Sequence, residues 1–377
     1  LPSFPAGWAI SAGCAPMRHD SAACAARMNR LRAGFSETDA LLILGAKNIR
    51  YLTGFTGGDG ALMVGPDWLI LLVDGRYVTQ ARDEVPGIEI FEFRNRVEGV
   101  AAVAGRRGVG SVGFESPLLS VEEYLRLKKA LPKVKLRPLP KGFELLRAVK
   151  DDGEIDRIRE AARISGEALA AVREMIRPGV REEEIALELE YRMRRGGAEQ
   201  VSFETIVAAG PDAALPHSTP GRREIADGDF VMIDYGAVCD GYHSDETCTY
   251  VVGHASDRQR EVYRLVLEAH DRAIRAVRAG VSCGEIDRIA RACLAEAGMA
   301  GYFSHGTGHG VGLDVHEAPR LASGREEILQ AGMVVTVEPG VYLPGVWGIR
   351  IEDTVLVKQE GCEILTRTSK ELAVIEH

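Results

Sequence analysis

Short apolar runs bounded by turn residues make up the first readable part of the chain. Residues 40–44 (ALLIL), 61–64 (ALMV) and 68–73 (WLILLV) sit between Gly, Asp and Pro and predict buried strands. Glu122 to Ala130 predicts a short helix, stopped by Leu131-Pro132. Residues 28 to about 145 therefore form an α/β unit, with 132–142, three prolines among basic residues, as its connector. From Asp151 the pattern changes. Ile155, Ile158, Ala162, Ile164 and Leu169 recur at helical spacing within 152–176, ending at Pro178-Gly179, and a second helix runs from about Arg181 to Arg195. Strands are expected at 201–208, 229–235 and 245–252, helices at 256–279 and 283–297, and strands near 333–338 and 349–357. Two helices then strands, twice over, reads as a duplicated α+β half, repeated in element order but not in residue identity. Residues 1–27 have no such period. The apolar Trp8-Ala9-Ile10 before Cys14 is too short and too broken for a signal peptide, and no Lys or Arg precedes it. The expectation there is a disordered extension, with Met17 or Met28 as the true start.

Length and composition narrow the class. The 377 residues suit two domains, 46% hydrophobic and 27% charged residues exclude disordered and fibrous classes, and no uncharged apolar stretch is long enough to span a membrane. With 46 Lys+Arg against 55 Asp+Glu the net charge is −9 and the pI about 5.6, which argues against nucleic acid as the main partner. The seven cysteines lack any C-x-x-C spacing and are expected to be reduced thiols of a cytoplasmic protein.

The first chemically informative stretch is Phe230-Val-Met-Ile-Asp234 followed by Asp240-Gly241 and Ser244-Asp245. A hairpin with loop Val238–Gly241 would set Asp234 opposite Asp245, their Cβ atoms about 4.5–5.5 Å apart. Later, Val334-Val-Thr-Val-Glu338 and Ile349-Arg-Ile-Glu352 flank a turn-rich link, and the same arithmetic opposes Glu338 and Glu352. Singly, each carboxylate is the sort of acid found at a strand edge on the surface. Two like-charged pairs on apolar strands are costly unless cations lie between them, and a pair of divalent ions about 3.5–4 Å apart would neutralise them. The third stretch is His305-Gly-Thr-Gly-His309-Gly-Val-Gly-Leu-Asp-Val-His316. Its glycines exclude the helical H-E-x-x-H zinc motif and it does not fit G-x-G-x-x-G. They would instead let the backbone pass close to a ligand, with the histidines pointing inward.

These motifs resemble the metallopeptidases of family M24, with the pita-bread fold, which include methionine aminopeptidase, prolidase and aminopeptidase P. The matching contexts are IDYG, SDET, GHGVG, VEPG and RIED, and the N-terminal half is similar to the prolidase and creatinase N-domain at Asn48–Phe55 and Asp74–Tyr77. The resemblance implies an α+β fold: a pita-bread catalytic domain over 146–377 and a smaller creatinase-like α/β domain over 28–145. It implies five metal ligands, with Asp234 on one ion, His309 and Glu338 on the other, and Asp245 and Glu352 bridging. The cofactor would be two divalent ions, Mn²⁺ or Co²⁺ before Zn²⁺ or Fe²⁺. A hydroxide bridging them would be the nucleophile and Glu338 the proton shuttle. His305 and His316 would hydrogen-bond substrate or the tetrahedral intermediate, and His217 in Leu-Pro-His-Ser-Thr would contact substrate. Arg350, two residues before Glu352, either orients a carboxylate at the substrate site or is an ordinary surface arginine. The implied reaction is hydrolysis of the Xaa-Pro bond of short peptides, by a homodimeric aminopeptidase or dipeptidase. Two other readings are a non-catalytic pita-bread peptide-binding protein, for which a ligand should be missing, and a metallohydrolase of another small amide.

Overall fold

The computed structural model describes residues 21–34, 37–139 and 142–376. These fall into two compact units, one reaching Arg147 and the other starting at Ala148. Helix Ser21–Gly34 starts inside the stretch expected to be a disordered extension, since its alanines are the strongest helix formers; Met28 and Leu31 are buried. The expectation for residues 1–20, Met17 included, lies outside the described residues.

In the first unit the three apolar runs are strands Ala40–Ile43, Ala61–Val64 and Leu69–Asp74. They lie in a mixed six-stranded sheet among the described residues, ordered Glu89–Phe93, Leu69–Asp74, Ala61–Val64, Ala40–Ile43, Ser111–Glu115 and Lys135–Leu139. The last of these occupies the expected connector. Its proline, Pro138, is tolerated because this is an edge strand with only Ser111–Glu115 beside it. Glu115, buried, accepts from the backbone N–H groups of Leu44 (2.5 Å) and Gly45 (2.8 Å) and from the Asn48 amide. A carboxylate thus caps helix Ala46–Thr53, where the N-terminal backbone dipole favours it.

The second unit contains both carboxylate-bearing strand pairs. Asp151 caps helix Asp152–Val172 in a reciprocal box with Glu154, and Ser256 does the same with Gln259 for Asp257–Ala276. Helices Asp152–Val172 and Glu182–Arg195 bury Ile164, Leu169, Ile185 and Leu189 against Val231, Ile233 and Tyr250. The strands so covered belong to a sheet ordered Val374–Ile375, Glu246–Val252, Phe230–Tyr235, Ile206–Ala209. Helices Asp257–Ala276 and Cys283–Glu296 bury Val262, Val266, Ile286 and Ala290 against Val335, Val337 and Val355. Those strands belong to a sheet ordered Glu317–Leu321, Gly308–Gly310, Val334–Val337, Asp353–Val357, Cys362–Ile364. Each fully buried aliphatic or aromatic side chain stabilises this packing by about 1.5–3 kcal/mol.

One of the two expected registers is shifted. Asp240 (φ +46°) and Gly241 (φ +76°) form a two-residue turn with both residues left-handed, the conformation Asp-Gly favours in a hairpin. The expected loop had four residues, so the pairing shifts by two. Asp234 lies opposite Thr247, and Asp245 falls just before strand Glu246–Val252. In the second pair Val337 faces Asp353 and Gly340 faces Arg350. Glu338 and Glu352 have the expected register but lie between these two ladders, free of strand pairing. The cysteines differ as well. Cys248, Cys283, Cys293 and Cys362 are free thiols, whereas Cys239 is disulfide-bonded, a pairing that spacing along a chain does not reveal.

Candidate metal centre

The glycines around His309 explain how an imidazole reaches the carboxylates. A Cβ on Gly308 would sit 1.9 Å from the Thr336 carbonyl oxygen, and one on Gly310 2.3 Å from that of Ala318. The close approach is therefore to neighbouring backbone on both sides, not to a ligand as expected. It draws strand Gly308–Gly310 between Glu317–Leu321 and Val334–Val337 and buries His309 beside the end of the latter.

Among the described residues, Asp245, His309 and Glu352 each offer a ligand atom within 4.8 Å of the others. His309 Nε2 is 3.6 Å from Asp245 Oδ2 and 3.5 Å from Glu338 Oε1, so Glu338 joins the cluster at the same imidazole nitrogen. Asp234 Oδ2 accepts from Arg350 Nη2 at 2.5 Å, and Asp234 Oδ1 is buried with no hydrogen-bond partner among the described residues. Thr247 donates to Glu352 Oε2 at 2.7 Å and Thr336 to Glu338 Oε1 at 3.5 Å, fixing the orientation of both carboxylates.

The electrostatics of this cluster favour cations. Burial, then the charges of Glu352, Asp234 and Glu338, push the Asp245 carboxyl well above the usual carboxylate range. Glu352 is raised in the same way, by burial and then by Glu338 and Asp234. Glu338 is pushed up to about 7 by burial, against the opposing charge of Arg350. His309 is lowered to about 3, mainly by burial. Its Nδ1 lies 3.1 Å from the Gly310 carbonyl, which can only accept, so Nδ1 carries the proton and the Nε2 lone pair faces Asp245 and Glu338. A neutral imidazole aimed by its other nitrogen, four carboxylates and an unpartnered carboxylate oxygen fit divalent metal ions as a donor set.

Arg350 is buried, so the surface alternative does not hold. The carboxylate it orients is Asp234. Its Nε also donates to Thr247 at 3.1 Å, and its Nη1 to the Pro216 carbonyl (3.0 Å) and the Tyr342 hydroxyl (2.9 Å). Tyr342 donates onward to His305 Nε2 at 2.8 Å, because His305 Nδ1 gives its proton to the Gly306 carbonyl at 2.8 Å. Burial and then the Arg350 charge lower His305 to about 4, which keeps it neutral. The His316 ring lies 4.2 Å from the His309 ring, centroid to centroid, and is exposed. His217 is also exposed, next to the Pro216 that Arg350 holds.

Several participants were not singled out from sequence. Tyr342 lies in the turn-rich link, where an aromatic gives no cue to its partners. Glu182, buried at the start of helix Glu182–Arg195, accepts from Ala209 N (2.7 Å) and Gly221 N (3.0 Å) and so closes the loop bearing His217. Lys150 and Glu317 form a buried ion pair, Nζ to Oε1 2.7 Å, directly after His316. A lysine far along the chain from its acid leaves no local pattern.

Both halves of the chain match known families. Residues 156–359 match metallopeptidase family M24 and residues 27–149 the creatinase/prolidase N-terminal domain, so the chain belongs to family M24 and is an enzyme, a metallo-exopeptidase with the pita-bread fold. It is 38% identical to the Xaa-Pro dipeptidase of Pyrococcus horikoshii, over 89% of this chain and 94% of that one. Among solved structures it is similar to an Xaa-Pro dipeptidase from Bacillus anthracis: TM-score 0.91, 40% identity, 93% of this chain and 100% of that one covered. An X-Pro aminopeptidase from Thermotoga maritima superposes with TM-score 0.86 at 36% identity, covering 92% and 99%. Among the described residues no helix is long and apolar enough to cross a membrane.

Proposed function

We propose that this enzyme hydrolyses the peptide bond preceding proline in short peptides, with two divalent ions held by Asp234, Asp245, His309, Glu338 and Glu352. The observation that carries the reading is the convergence of buried carboxylates on the Nε2 lone pair of a neutral His309. Mn²⁺ or Co²⁺ suits this oxygen-rich set with one imidazole. When bound, such a pair polarises the scissile carbonyl and acidifies the water it holds, so that hydroxide is available near neutral pH. Asp245 and Glu352, each within reach of His309, would be the carboxylates shared by both ions, and Asp234, which Arg350 orients, would hold one of them. Glu338 takes a proton from the attacking water and returns it to the leaving nitrogen. Neutral His305, the exposed His316 and His217 are hydrogen-bond partners for the substrate and for the charge that develops on its carbonyl oxygen. A purely binding role would go with a lost ligand, and all five donors are present.

A homodimer and a cytoplasmic location go with the same reading. The free thiols Cys248, Cys283, Cys293 and Cys362 support that location and the disulfide at Cys239 counts against it; fractionation and light scattering test the two. For the reaction itself, purified protein with Mn²⁺ or Co²⁺ is expected to release the residue before proline. Comparing X-Pro with X-Pro-Y peptides separates dipeptidase from aminopeptidase. Chelator and Asp245→Ala are each expected to abolish turnover, and Asp245→Ala also the rise in unfolding free energy with Mn²⁺, about 2.7 kcal/mol at a hundredfold excess over Kd. Activity that survives both would overturn the reading.

A further inference from the structure

Asp245 and Glu352 are each followed by a second acid and then by threonine: Asp245-Glu246-Thr247 and Glu352-Asp353-Thr354. Successive side chains on an extended chain point to opposite faces, so Glu246 and Asp353 face away from the centre. Their side chains are 0% and 5% exposed. One ammonium serves both: Lys370 Nζ is 2.5 Å from Glu246 Oε1 and 3.4 Å from Asp353 Oδ1. Neutral donors add to the shells of both carboxylates. The Tyr235 hydroxyl donates to Glu246 Oε2 at 2.7 Å, the Thr368 N–H to Glu246 Oε1 at 3.1 Å and the Thr366 hydroxyl to Asp353 Oδ1 at 2.5 Å. His270 Nε2 stands 3.3 Å from Asp353 Oδ2.

On the side of the centre the two strands are bound crosswise. Thr247 donates to the Glu352 carboxylate and Thr354 to the Asp245 carbonyl, each at 2.7 Å, and Glu352 N–H donates to the Thr247 carbonyl at 3.2 Å. Behind it, Lys370 is the cation that reaches both acids. Without it two buried carboxylates would face each other across the strands, and like charges at that range separate or take up protons.

We propose that Lys370 is a positioning residue of the metal centre: paired with Glu246 and Asp353 together, it ties strand Glu246–Val252 to strand Asp353–Val357 and sets the spacing of the Asp245 and Glu352 carboxylates. The proposal rests on the metal reading above. Ligand geometry tolerates about 0.5 Å of displacement, so a loosened strand crossing is felt in metal affinity before chemistry is reached.

The test measures Mn²⁺ affinity and stoichiometry by calorimetry, with unfolding of the metal-free proteins measured in parallel. Lys370→Met is expected to weaken Mn²⁺ binding roughly 10–100-fold, the usual effect of losing a group that orients ligands. The double variant Glu246→Gln/Lys370→Met removes both halves of a buried charge pair and so recovers most of the stability, but it restores no tie to Asp353. Its Mn²⁺ affinity therefore stays low. Lys370→Arg keeps the charge and presents donors to both carboxylates, and it retains binding. Lys370→Met that binds Mn²⁺ like wild type overturns the proposal. A double variant that regains affinity along with stability does so too, as does failure of both variants to fold, which would make Lys370 a requirement of the whole domain. Wild-type protein that binds no Mn²⁺ overturns the metal reading itself, and this role for Lys370 with it.

Discussion

Glu182 offers a test of how the enzyme holds the loop bearing His217, away from the proposed metal ligands. Its two carboxylate oxygens accept from Ala209 N and Gly221 N, at the two ends of the segment that carries His217. Replacement by Ala leaves two N–H groups without their acceptor, at about 1–3 kcal/mol each where they are buried. The sum is about 2–6 kcal/mol. Burial opposes this, since it raises the Glu182 pKa against the pull of the two N–H groups, so the lower half of that range is expected. Glu182→Gln keeps one acceptor and sets an amide N–H against the other backbone donor, and should cost about half as much. Urea unfolding gives the stability change. Steady-state kinetics on an X-Pro substrate gives the functional one, a KM raised severalfold with kcat changed less, because the loop binds and the metal ligands stay in place. Stability within 0.5 kcal/mol of wild type for Glu182→Ala, on the scale of ordinary surface substitutions, together with an unchanged KM, would refute the reasoning.

Other expectations follow from the buried charges. Burial opposes protonation of His270, but its hydrogen bonds and charge interactions with Asp271 and Asp353 prevail and raise its pKa above 6.5. The folded state therefore holds this proton more tightly than the unfolded state. The resulting stability is full below pH 6.5 and lost as pH rises through the folded value, so His270→Gln should destabilise more at pH 5.5 than at pH 9 in denaturant titrations. Arg350→Met removes one partner of a buried pair and should cost about 3–5 kcal/mol in thermal or chemical unfolding. Arg350→Lys should not restore turnover, because a single ammonium cannot reach Asp234, Thr247, Tyr342 and Pro216 together. Full activity in Arg350→Lys would show that the fork geometry is irrelevant.

Much of the fold was legible because it rests on local periodicity. The runs at 40–44, 61–64 and 68–73 are strands, and the helices at 152–176, 181–195, 256–279 and 283–297 lie within a few residues of the observed ones. The turn at Asp240-Gly241 is legible in the sequence, yet the observed pairing differs from the expected one by two positions, because hydrophobic alternation survives a two-residue shift and cannot report it. Asp245 still reaches His309 and Glu352, since the shift keeps it on the same face of the pleat as Asp234. Less visible were interactions between distant positions, such as Arg350 with Asp234 or Lys150 with Glu317. A signal did exist for the layer behind the centre. Two adjacent acids in strands buried on both sides, Glu246 after Asp245 and Asp353 after Glu352, mean that one of each pair must find a partner on the far face.

The repeated acid-acid-threonine triplets, one per sheet, bear on ancestry. A polypeptide containing only one such sheet would own two of the five proposed donors, or three, and neither set would enclose the proposed pair of ions. Any half-length forerunner with this chemistry would have needed a second copy of itself to finish the cage. Within this chain the two sheets are not equivalent, since only the one containing Gly308–Gly310 supplies an imidazole to the cluster.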